Sequence, residues 1–150
     1  MTSSEREIIV LYDEVCLGNS DALRFIFHWN MFIHGIDDLI DDPVRPKPED
    51  VIAVFAQANI LYTQPFYQAH AVKLQMVVML VTNAYADSVL WENEKRIGLG
   101  AMADVLRFAG NEMMFAVALI VGGYQHMRKI SVKLRENSWE SHHDETGKPK

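Results

Sequence analysis

The chain has 150 residues, of which 49% are hydrophobic and 23% charged. This composition is typical of a folded globular domain and argues against a disordered chain. A formal net charge of −6 argues against broad nucleic-acid binding, because an acidic surface repels phosphate backbones. Cys16 is the single cysteine, so an intramolecular disulfide is excluded. We therefore expect a cytoplasmic protein of one domain.

The sequence predicts no membrane span. Its longest uncharged stretch, Met113 to Met127, is shorter than the roughly 20 residues that a transmembrane helix needs. The N-terminal residues carry charges where a signal peptide would need an apolar run.

Two helices are predicted in the first part of the chain. Ser4 and Glu7 form a capping box that begins the first helix, and Gly18 follows its end near Leu17. Asn19 or Ser20 caps a second helix that runs to about Asp41. Apolar residues recur along this second helix at steps of four and three, which predicts a buried stripe made of Phe25, Trp29, Phe32, Ile36 and Leu39.

The prolines of the segment PVRPKP mark a linker after the second helix. A third helix is predicted from about Glu49 to Tyr62, and a fourth from Pro65 to about Lys95. The fifth should run from Leu99 to Glu136 and be loosened at Gly122–Gly123. These elements predict an all-α, single-domain bundle of about five helices over residues 1–136, with a disordered tail over residues 137–150.

Four aspartates lie within six residues at the end of the second predicted helix. Asp37 and Asp41 are one helical turn apart, and so are Asp38 and Asp42. Carboxylates are also disfavoured at a helix C-terminus, where the helix dipole is negative. A cation between them would relieve both effects, and Mg²⁺ prefers such hard oxygen ligands.

The segment IDDLIDDPVRPKP resembles the first aspartate-rich motif of trans-prenyl diphosphate synthases, within the class I isoprenoid synthase family. Asp37, Asp38 and Asp41 match the metal-binding aspartates of its DDxxD pattern, and Arg45 falls near the family's diphosphate-contacting arginine. The resemblance covers about a dozen residues. It implies an isoprenoid-synthase-like or related helical bundle in which these carboxylates hold Mg²⁺, and the metal in turn binds a prenyl-type diphosphate.

A complete metal–diphosphate site needs groups from other helices. Asn83 and Asp87, one turn apart on the fourth predicted helix, are candidate metal ligands opposite the aspartates. An interhelical hydrogen-bonding pair, or an N-cap at a local break of the helix, is the alternative. Arg107 is a candidate phosphate-binding residue, although an ordinary ion pair with Asp104 explains it equally well.

Asn30 and His34 extend a polar line toward Asp37 and Asp41 along an otherwise apolar helix. Such a line predicts a polar cavity inside the bundle.

Three functions remain open on the sequence. The first is Mg²⁺-dependent binding or turnover of a diphosphate-containing ligand, with Arg45 and Arg107 binding the phosphates. The second is an all-α nucleotide pyrophosphohydrolase, which also gathers carboxylates around Mg²⁺. The third is a non-catalytic helical protein that forms homo-oligomers or serves as an interaction partner, for which the Met-rich apolar helices are suited. We expect a homodimer because one chain of this size is short for a whole pocket.

Overall fold

The computed structural model describes residues 3–41, 46–92 and 98–142, and it is all-α over these ranges. The helices are α1 (Ser3–Cys16), α2 (Ser20–Asp41), α3 (Pro48–Tyr62), α4 (Pro65–Glu92), α5 (Leu99–Arg107) and α6 (Asn111–His142). A single 3-10 turn, Phe108–Gly110, joins α5 to α6, so that the fifth predicted helix is present but interrupted. The predicted all-α bundle is confirmed.

Local capping signals set the junction between α1 and α2. Leu17 and Gly18 both have positive φ angles, of 50° and 75°, which reverse the chain at the end of α1. The side-chain oxygen of Asn19 then accepts hydrogen bonds from the backbone amides of Asp21 and Ala22, at 3.1 and 3.0 Å. Asn19 is therefore the N-cap of α2.

The next two helices begin at prolines, as the sequence predicts. Pro48 and Pro65 are the first residues of α3 and α4, where the missing backbone N–H has no helical partner to lose. α4 contains one irregular residue, His70, with φ −126° and ψ 20°. It otherwise continues unbroken to Glu92.

The last helix, α6, is kinked and longer than predicted. Gly123 has φ 77° and ψ −177°, a conformation that only glycine adopts readily, and it interrupts α6 at the predicted position. The helix then continues to His142, so the predicted end at Glu136 is six residues too early. One reason is tertiary: Asn111 at the start of α6 donates a 2.8 Å hydrogen bond to Ser138.

The core lies where α2 meets α1, α4 and α6. The predicted stripe of α2 is buried at Phe25 and Trp29, and Phe32 packs against the core from a partly buried position. α6 contributes a continuous buried block made of Met113, Met114, Phe115, Val117 and Ala118. Phe27 and Met31, on the opposite side of α2, are 39% and 59% exposed.

One stretch of the described residues, Leu99–Ser138, is long and apolar enough to cross a membrane by length and composition. The core helix of a water-soluble bundle can meet the same criterion. Here 28% of the most apolar window is buried, so core packing accounts for part of its hydropathy. The absence of a membrane span stays a prediction.

Candidate functional site

A cavity of about 370 Å³ lies between α1, α2 and the junction of α5 with α6. Its volume is within the range of small-molecule sites in proteins. Asn30, His34 and Asp37 of α2 line it, as the polar line predicts, whereas Asp41 at the end of that line does not. Apolar side chains of Ile33 and Met114 form part of the remaining wall.

The wall near the 3-10 turn is held by a long-range hydrogen bond. The indole Nε1 of Trp29 donates to the backbone carbonyl of Gly110 at 3.0 Å. Trp29 is 1% exposed, so this bond fixes a large buried side chain of α2 against the start of α6. The cavity is therefore bounded by well-packed helices on that side.

Polar groups deep in the cavity include Tyr12 and Asn30. The Nδ2 atom of Asn30 is buried, and among the described residues it makes no hydrogen bond of ordinary geometry. Burial raises the pKa of Tyr12, an effect that the adjacent Asn30 amide, which donates toward the phenol oxygen, partly offsets. A ligand that accepts a hydrogen bond from Asn30 would satisfy this buried donor better.

Asp37 accepts a hydrogen bond from α4, a contact that the sequence pattern does not predict. The hydroxyl of Tyr85, on α4, donates a hydrogen bond to its carboxylate. Burial and this bond to Asp37 both raise the pKa of Tyr85, so the phenol stays protonated and continues to donate at neutral pH. The Tyr85 contact turns Asp37 toward the cavity end that α4 and α5 close.

Arg107 joins two further carboxylates at the same end. Its guanidinium donates to Glu92 at 2.7 Å and to Asp41 at 3.3 and 3.5 Å. Burial alone would lower the pKa of Arg107, but the two carboxylates raise it, so it remains charged. The predicted alternative, an ion pair between Asp104 and Arg107, is replaced by these contacts with α2 and α4.

The charges at this end do not balance. Asp37 and Asp104 line the cavity with Arg107, while Asp41 and Glu92 are bonded to Arg107 from outside it. Among the described lining residues, Arg107 is the one Lys or Arg. Among the described residues, four carboxylates thus lie around one guanidinium, an arrangement that favours a cationic group.

The remaining predicted site residues lie elsewhere. Asp38 faces α3 and lines a separate cleft with Asp50. Asn83 donates to Asp87 at 3.3 Å on the exposed side of α4. This bond lies within one helix, so it is neither the predicted metal site nor the predicted interhelical pair or N-cap. Arg45 lies outside the described residues.

No three His, Cys, Asp or Glu side chains are grouped to hold a metal ion in the described ranges. The five predicted ligands are dispersed over three surfaces, and Asp37 and Asp41 are engaged by Tyr85 and Arg107. The arrangement therefore does not fit a direct Mg²⁺ site. Binding of Mg²⁺ through the aspartate motif stays a prediction from the sequence.

Sequence reasoning missed Tyr12, Tyr85 and the role of Glu92 at this site. Tyr85 lies in an apolar helical run, and its spacing carries no sign of a partner 48 residues away. Tyr12 lies at the cavity because α1 packs beside α2. Only the polar line on α2 pointed to the cavity in advance.

Comparison with known proteins adds no relative: no family model, no curated protein and no solved structure matches the chain. The site therefore has to be interpreted from its own geometry.

Proposed function

We propose that this protein binds a small molecule in the cavity, through a positively charged group placed at its acidic end. The excess of carboxylates around Arg107 carries this proposal. Apolar and aromatic walls would enclose the body of the ligand, and the buried amide of Asn30 would donate to an acceptor atom on it.

Two ligands share this chemistry. An organic ammonium group would bind the carboxylates directly, as a salt-bridged donor. A diphosphate ester would need a divalent cation, because its own negative charge is repelled by Asp37 and Asp104. The second is the Mg²⁺–diphosphate function that the aspartate motif favours. The cation would have to enter together with the diphosphate, because the described carboxylates are not grouped as a direct Mg²⁺ site.

Thermal unfolding tests the proposal with Mg²⁺ plus inorganic diphosphate in one arm and a linear aliphatic diamine in the other. A ligand at a hundredfold excess over its dissociation constant adds about 2.7 kcal/mol to the free energy of unfolding. We expect one arm to raise the midpoint of the parent protein. Neither arm doing so would contradict the proposal.

Asp37→Asn and Asp38→Asn form a matched pair of variants. Each variant removes one of two adjacent carboxylates on α2, but only Asp37 lines the cavity, whereas Asp38 lines the cleft beside α3. We expect the ligand-induced shift to disappear in Asp37→Asn and to persist in Asp38→Asn. Equal loss in both variants would favour the metal-binding motif over the cavity, because that motif uses both aspartates.

A further inference from the structure

The outer surface of α4 is apolar although it faces solvent. Five large side chains on this helix are between 60% and 83% exposed, namely Val72, Met76, Met79, Leu80 and Leu90. The first four lie at steps of four, three and one, and Leu90 returns to the same side of the helix five turns after Val72. Asn83 and Asp87 lie on this side between Leu80 and Leu90. We call the five apolar side chains the α4 outer face.

The opposite side of α4 is apolar too, and it is already used. Leu74, Val78 and Val81 are at most 5% exposed and belong to the core. A helix at the surface of a bundle normally has one apolar stripe and a polar opposite face. A second apolar stripe therefore indicates that a partner covers the α4 outer face.

We propose that the partner is a second copy of this chain, with the two α4 helices packed antiparallel about a two-fold axis near Leu80. The five side chains are each at least 60% exposed and form an exposed apolar patch of the kind that marks protein–protein interaction sites; a standard interface buries roughly 800 Å² per partner. Methionine, present twice in the face, is enriched in such interfaces. A two-fold axis lets the same face serve both copies.

Charge selects the antiparallel arrangement. Between Lys73 and Asp87 the sequence of α4 has no charged residue, and these two lie near opposite ends of the outer face. Antiparallel packing brings Lys73 of one copy close to Asp87 of the other. Parallel packing would set the two Asp87 carboxylates against each other.

The same charges argue against a lipid surface as the partner. Helices that lie on membranes carry Lys and Arg on their polar side, next to the apolar face. Here the other side of α4 is buried in the core, and the chain has a net charge of −6, which anionic lipids repel.

The interface is independent of the cavity. Tyr85, which reaches Asp37, lies on the opposite side of α4 from the outer face. Loss of association and loss of ligand binding can therefore be measured separately.

Sedimentation equilibrium of the full chain tests the proposal. We expect a dimer that dissociates on dilution, and at least tenfold weaker association in Leu80→Glu. Val10→Glu is the control, because Val10 is 68% exposed on α1, away from α4. The proposal would be overturned by a parent that stays monomeric at all concentrations, or by a Val10→Glu variant that dissociates equally. It would also be overturned if a monomeric parent bound lipid vesicles and Leu80→Glu abolished that binding.

Two further experiments, a charge exchange and a cysteine cross-link, do not depend on the stability of Leu80→Glu. Asp87→Lys and Lys73→Glu should each weaken association, and the double variant should restore it if the helices are antiparallel. Leu80→Cys should form an intermolecular disulfide under mild oxidation, whereas Val10→Cys should not. The native Cys16 is fully buried and does not compete. Failure of both the charge exchange and the cross-link would rule out this interface.

Discussion

Tyr85 shows how one residue joins two helices at the candidate site. Its hydroxyl donates to Asp37 across 48 positions of sequence, and its pKa is raised by burial and by that carboxylate. The stabilisation that Tyr85 provides depends on the phenol being protonated. It is therefore complete below the unfolded-state pKa, near 10, and is lost as pH rises through the higher folded-state pKa.

We expect Tyr85→Phe to reduce the free energy of unfolding by about 1 kcal/mol at neutral pH, because Asp37 loses a partly buried donor. Above about pH 10 the difference between parent and variant should shrink, since unfolding of the parent then releases a proton that the variant lacks. Urea denaturation across the alkaline range measures this. Tyr124→Phe is the control because Tyr124 is 60% exposed, and a difference that stays constant with pH would refute the assignment.

At the scale of the element, the kink in α6 is the clearest feature. Gly123 combines φ 77° with ψ −177°, and a Cβ at this backbone conformation is strained even where space is open. The kink divides the apolar first half of α6 from a second half that carries Lys129 and Lys133 and still buries Ile130 and Leu134 in the core. Lys133 pairs with Glu14 of α1 at 2.7 Å, so the second half keeps its own contact with the bundle.

Gly123→Ala should lower the free energy of unfolding by about 1–3 kcal/mol, the cost of holding a residue with a side chain in a glycine conformation. Gly100→Ala is the matched control. Gly100 lies in the first turn of α5 with open space around its Cβ position, so alanine there should be neutral or stabilising by up to about 1 kcal/mol. Equal effects of the two substitutions in chemical denaturation would show that the kink is not needed.

At the scale of the whole molecule, the apolar stretch of α6 could pack either in the protein core or in a membrane, and the burial of its side chains distinguishes the two. Val117 is fully buried in the core, whereas Leu119, two positions later, is 45% exposed. In a helix that packs into a bundle, these two sides have different environments. In a helix surrounded by lipid, both side chains would face an apolar environment.

Val117→Asp should therefore unfold the protein or lower its stability by roughly 3 kcal/mol or more, because it buries an unpaired charge. Leu119→Asp should change stability by less than about 1 kcal/mol, since the carboxylate can reach water. Urea denaturation of detergent-free protein makes the comparison. A protein that stays in the membrane fraction, or two variants that are equally damaging, would contradict the core position of Val117.

The helices could be predicted from the sequence because their signals are local. The capping residue Asn19, the first-turn prolines Pro48 and Pro65, and the break at Gly123 each act within a few residues of their own position. The polar line on α2 likewise follows from a helical period alone and correctly indicated a cavity. The end of α6 was predicted too early because the residues after Glu136 are polar, which is typical of a disordered tail. The hydrogen bond from Asn111 to Ser138 is a long-range contact that composition does not indicate.

The partners of each carboxylate were decided by tertiary structure. Asp37 and Asp38 are adjacent in sequence, but a helix turns by about 100° per residue, so they face α4 and α3 respectively. Which neighbour stands on each side depends on packing between distant segments: Arg107 reaches Asp41 across 66 positions and Glu92 across 15. The sequence alone thus determined an acidic helix end beside a polar line. Only the packing of α4 and α5 against α2 turned that end into the acidic wall of a cavity, because long-range contacts leave no periodic signal in the chain.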